Sequence, residues 1–152
     1  MNLRQKGFTL LEMLVTATVL LILASAVVPM ARNGVRRQRE LELRRDLREM
    51  RMAIDSYKAM AEQNKIKGPP PENMGYPESL DILVDGVPVT GKDQKIRFLR
   101  RIPVDPFTQK PDWGMRSLAD DPTSSSWGGG NVFDVFSMAQ GTGSNGIPYR
   151  QW

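Results

Sequence analysis

Residues 8–31 read FTLLEMLVTATVLLILASAVVPMA, and a single charge, Glu12, interrupts the run. Coiled as a helix, the stretch would be about 36 Å long, enough to cross a hydrocarbon core of about 30 Å. A helix that is apolar all round and this long is better matched to lipid than to a small protein core. A secretory signal peptide is the main alternative. Arg4 and Lys6 would form its basic start, residues 10–23 its apolar stretch and Ala24-Ser25-Ala26 its cleavage-like end. Glu12 bears on the choice, because an acid inside such an apolar stretch is costly, on the order of 2.5–3.5 kcal/mol for Asp on the insertion scale. A carboxylate inside a membrane segment is a functional group by default and needs a partner. Cleavage after Gly7 would supply one, a free α-amino group on Phe8, one helical turn from Glu12.

The rest of the chain is a different object. Of 152 residues, 21 are basic and 17 acidic, giving a formal charge of +4. Only Arg4, Lys6 and Glu12 among these precede Arg32. The length fits one ordinary domain plus an appendage. Cys and His are both absent. That excludes a disulfide scaffold, thiolate or imidazole metal sites, and cysteine- or histidine-dependent catalysis. No catalytic residue is expected. A pI near 9.6 invites nucleic acid, but a small net charge with interleaved acids is weak support, and none is expected as a partner.

Beyond Pro29 the chain turns densely charged. Leu43, Leu47, Met50, Ile54, Tyr57 and Ala61 recur at alternating spacings of four and three, one apolar stripe along a helix. Glu40 precedes Arg44 by four, a favourable orientation for a helical ion pair. The pattern predicts one helix from about residue 8 to about 64, with a kink at Pro29 and a weak point at Gly34, ended by Gly68-Pro69-Pro70-Pro71. Past it, residues 77–84 read as a brief helix, and 96–102, 113–117 and 132–136 as strands. The segments expected are 1–7 as a short basic leader, 8–31 as an apolar membrane half-helix, 32–65 as its amphipathic continuation and 66–152 as a small β-rich region. The fold class is α+β, a long helix packed against a small antiparallel sheet with irregular loops.

Lys6-Gly7-Phe8-Thr9-Leu10-Leu11-Glu12 resembles the leader junction of type IV pilins and type II secretion pseudopilins. The resemblance implies that a prepilin peptidase cuts after Gly7 and N-methylates Phe8, that Glu12 is the assembly residue, and that Pro29 is the family's frequent helix proline. Tyr76-Pro77, Arg101-Ile102-Pro103-Val104-Asp105-Pro106-Phe107 and Val132-Phe133-Asp134-Val135-Phe136-Ser137 resemble the major, G-type pseudopilin in particular. Pro103 and Pro106 around Asp105 read as turn chemistry alone. G-type subunits carry a calcium-binding loop after the late strand. Here residues 137–152 hold no carboxylate, whereas calcium takes six to eight oxygens and gains affinity from carboxylates. Asp134, Asp120 and Asp121 could contribute, but no spacing makes them converge. No metal residue and no cofactor is assigned, and calcium stays an open alternative.

The resemblance implies a structural subunit of a periplasmic pseudopilus. Its implied partners are further copies of itself, minor pseudopilins, the prepilin peptidase, the inner-membrane platform protein, the assembly ATPase complex and, before assembly, membrane lipid. It places the N-terminus in the cytoplasm and the C-terminal region in the periplasm, on a single pass through the inner membrane. The arginines from Arg32 to Arg48 outnumber Arg4 and Lys6, which by the positive-inside count gives the reverse topology. The leader signal is the more specific of the two. A type IV pilin or minor pilin, and a signal-anchored periplasmic binding domain that never polymerises, remain alternatives.

Overall fold

The computed structural model describes residues 8–152, those from 26 to 33 by their backbone alone. The leader with Gly7 lies outside the described residues, as does the side chain of Pro29. Thr9 opens the first element, α1 (Leu10–Glu62). The Thr9 hydroxyl accepts the Glu12 N–H at 3.2 Å, and the Thr9 carbonyl accepts the Met13 N–H at 3.1 Å, a helix N-cap. The α1 backbone is helical through Pro29 without a break. It ends two residues before the predicted boundary, and not at the proline run. Asn64 takes a positive φ of 52°. The Asn64 N–H then donates to the Ala61 carbonyl at 2.9 Å and the Lys65 N–H to the Met60 carbonyl at 3.0 Å. This left-handed cap satisfies the last carbonyls, so the helix is closed before Gly68 is reached.

The chain divides into two compact units, Met1–Gln38 and Arg39–Trp152. In the first, the described apolar side chains of α1 are exposed all round, Leu10 at 87% and Leu21 at 71%. Among the described residues no helix is long and apolar enough to cross a membrane, the side-chain description of the apolar run stopping at Ser25.

The second unit is built on the stripe that the spacing predicts. Leu43, Leu47, Met50, Ile54 and Tyr57 are buried, and Ala61 packs at the margin. They meet Tyr76, Leu80 and Leu83 from the segment around α2 (Asp81–Asp85), then Leu99, Trp113, Val132, Val135 and Tyr149. The strands form two separate antiparallel pairs, not one sheet. β1 (Val87–Pro88) pairs with β2 (Lys95–Ile96), and β3 (Trp113–Arg116) with β4 (Asp134–Ser137). The predicted strand 96–102 stops after Ile96. From there the Phe98 and Leu99 N–H groups turn to the Leu83 carbonyl, at 2.9 and 3.0 Å, and cap α2 in place of extending a ladder. The predicted helix 77–84 begins later, because the Pro77 carbonyl accepts the Val132 N–H at 2.8 Å.

Candidate assembly site

Two groups of polar residues stand out, one in each unit. In the first, Glu12 sits exposed in the first turn of α1, where the positive end of the helix favours a carboxylate. Phe8, 76% exposed, precedes the Thr9 cap. Thr9, joined to Glu12 by this cap, is not among the residues singled out from the sequence. Its signal was present, since Thr9-Leu10-Leu11-Glu12 has the spacing of a capping box.

In the second unit, polar side chains fasten the C-terminal segment to α1. Glu40, 4% exposed, accepts the Ser144 N–H at 3.0 Å, the Ser144 hydroxyl at 2.5 Å and the Tyr149 hydroxyl at 3.1 Å. Arg51 pairs with Asp134 at 2.7 Å and donates to the carbonyls of Val135 and Trp152. Arg116 reaches the same Asp134 at 3.3 Å, donates to the Ser124 and Arg150 carbonyls and lies 4.1 Å from the centre of the Phe136 ring. Arg44 stacks 4.2 Å from the centre of the Trp152 ring. A guanidinium on an aromatic face is attracted by the ring quadrupole, and its flat fork suits several carbonyls at once. Asp105 does more than turn a loop. Fully buried, it accepts the Phe107 N–H at 2.7 Å and the Ser137 hydroxyl at 2.5 Å, tying the proline corner to the end of β4.

The acids considered for calcium are spread out. Asp134 faces Arg51 and Arg116. Asp120 accepts the N–H groups of Gly128 and Ser117, which hold its carboxyl below the usual range, and Asp121 is held down by the Thr123 hydroxyl and N–H. Among the described residues no three acids are grouped as a metal would need. Loop 137–146 is held by hydrogen bonds, the Gly143 N–H donating to the Ile147 carbonyl at 2.8 Å and Ser144 donating to Glu40.

A capped N-terminus bearing an acid, an exposed apolar helix and a small α+β unit built on the polar half of that helix define a pilin-like subunit. Residues 2–28 match the prokaryotic N-terminal methylation motif. Over 110 residues the chain is 30% identical to type II secretion system core protein G of Pseudomonas aeruginosa, covering 68% of this chain and 69% of that one. The same-named protein of Aeromonas hydrophila is 31% identical over 110 residues, 68% of each chain. That of Klebsiella pneumoniae is 29% identical over 151 residues, 95% of this chain and 89% of its own. No solved structure matches significantly. The chain belongs to the type II secretion system core protein G family.

Proposed function

We propose that this chain is a structural, non-catalytic subunit of a type II secretion pseudopilus, matured by cleavage after Gly7 and N-methylation of Phe8. Before assembly the apolar half of α1 resides in the inner membrane as a single pass, with the leader in the cytoplasm and residues 32–152 in the periplasm. On assembly the apolar helices leave lipid and pack against one another, so that burial in a filament replaces burial in the bilayer. Glu12 then pairs with the methylated amine of Phe8 on a neighbouring copy. Further copies, minor pseudopilins, the prepilin peptidase, the platform protein and the assembly ATPase are its partners.

The observation that carries this reading is the match of residues 2–28 to the methylation motif on a chain related over most of its length to core protein G. Mass spectrometry of the membrane-extracted protein tests the processing step. The expected mature chain begins at N-methylated Phe8. A terminus at Val27 would mean a secretory signal peptide and sink the proposal. Imaging filaments from overexpressing cells tests polymerisation.

A further inference from the structure

Three short strings on the polar half of α1 repeat one pattern: Glu42-Leu43-Arg44, Asp46-Leu47-Arg48 and Glu49-Met50-Arg51. Each is an acid, an apolar residue and an arginine, and the repeats are spaced by four and then three. One residue advances a helix by about 100°. The apolar members Leu43, Leu47 and Met50 therefore form the buried stripe. Their acidic neighbours line one flank of α1 and their basic neighbours the other. Glu42 and Glu49 are exposed, Asp46 is half-buried, and among the described residues none of the three makes an ion pair within the subunit.

The basic flank differs in its fate. Arg51 is occupied by Asp134. Arg44 and Arg48 are exposed, and among the described residues neither forms an ion pair. They border a groove of about 470 Å³ whose other walls include Leu41, Ile147 and Trp152. Leu41 is 69% exposed there and Ile147 42%. The groove thus offers two cations above an apolar floor, with one guanidinium already fixed against Trp152.

We propose that neighbouring copies of this chain join through these flanks, the Glu42, Asp46 and Glu49 face of one copy seated on the Arg44, Arg48 and Trp152 groove of the next. The inference rests on the polymerisation proposed above and names its lateral contact. Charge complementarity selects the occupant: Glu42 and Asp46 on one flank and Arg44 and Arg48 on the other carry opposite signs at the same spacing of four, so one copy presents what the next accepts. The contact is also heterologous. Each joined copy keeps one unused acidic flank or one unused groove, so addition continues as a polymer requires. Asp46 shows the cost of leaving its flank unpartnered: burial, then Glu42 and Glu49, push its carboxyl up to about 6, with Asp105 adding and Arg45 opposing. An arginine from a neighbour would add to the partial offset that Arg45 gives.

Charge reversal in the full chain tests the contact, with filaments counted by imaging and stability followed by thermal melting. Glu42→Lys with Asp46→Lys and Glu49→Lys, or Arg44→Glu with Arg48→Glu, should each cut filament mass about tenfold without lowering the melting temperature. Reversing both flanks together, Glu42→Lys, Asp46→Lys and Glu49→Lys with Arg44→Glu and Arg48→Glu, should restore filaments to within about threefold, because the signs match again. If the reversals unfold the subunit, Asp46→Asn and Arg48→Gln carry the same comparison with smaller losses. Normal filaments from either reversal overturn the contact. So does a combined variant that folds but does not assemble, which would mean that the groove takes a different anionic partner. Glu12→Ala, run in parallel, keeps the two claims apart. Filaments lost there but kept by both reversals leave polymerisation standing without this interface. An unaltered chain that forms no filaments overturns both.

Discussion

At the scale of single residues, Glu12 and Asp46 are acids in contrasting settings. Glu12 is exposed in the subunit beside the Thr9 cap, so nothing in the fold of the second unit depends on its charge. Glu12→Ala should leave cleavage after Gly7 and membrane residence intact, since the helix only becomes more apolar. In the filament proposed above, the same change would leave a buried amine without its counter-charge. Breaking such a pair costs about 3–5 kcal/mol, which amounts to about a hundredfold or more in subunit affinity. Filament counts and secretion should fall accordingly, with Glu12→Asp intermediate; normal filaments would remove Glu12 from assembly. Asp46 is sensitive to pH instead. Its carboxyl is raised from 3.8 to about 6, by burial first and then by Glu42 and Glu49. A raised acid binds its proton more tightly when folded, so its contribution to stability is present below pH 4 and lost as pH climbs through about 6. Asp46→Asn, which mimics the protonated form, should therefore raise the melting temperature at pH 7.5 and change it little at pH 4. An equal gain at both would show that charge is not the cause.

At the scale of elements, what was legible had a period. The stripe from Leu43 to Ala61 follows from its spacing, and all its members are buried or pack against the core. The β3–β4 pair falls within two residues of its predicted bounds because apolar, strand-forming residues concentrate there. The β1–β2 pair was not legible, as two residues per strand, one of them Pro88, give no alternation to read. The stop after Ile96 depends on the free Leu83 carbonyl of α2, a partner that no local pattern reveals. Gly114 is a case where the sequence is silent and the element is not. It stands opposite Phe136 in the β3–β4 register, and a Cβ there would meet the Phe136 ring. The ring is itself covered by Arg116, so it has little room to move. Gly114→Ala should cost about 1–3 kcal/mol in thermal or denaturant unfolding, the price of overpacking; a neutral result would mean that the ring swings aside freely.

At the scale of the whole molecule, the open question is what holds the C-terminal segment, which in sequence looked like an eroded calcium loop. The anchors lie far off along the chain: Glu40 bonds Ser144 across 104 positions and Arg51 bonds the Trp152 carbonyl across 101. Separations of that size are invisible to spacing arguments, which is why neither residue could be picked out as an anchor beforehand. Asp134 shows the same division of labour, its carboxylate shared by Arg51 and Arg116. A cation competing for Asp134 would have to displace two guanidinium groups and would still lack the grouped oxygens it needs. We therefore expect a calcium chelator to leave the melting temperature of the purified chain nearly unchanged. Glu40→Ala should lower stability by about 2 kcal/mol or more, since hydrogen bonds to a charged group are worth about 1.5–3 kcal/mol each. It should also expose the Ser144 amide to hydrogen exchange ahead of the β3–β4 amides. A large melting shift that chelation causes and added calcium reverses would instead make Asp134, Asp120 or Asp121 a ligand, with the arginine contacts standing in for the ion.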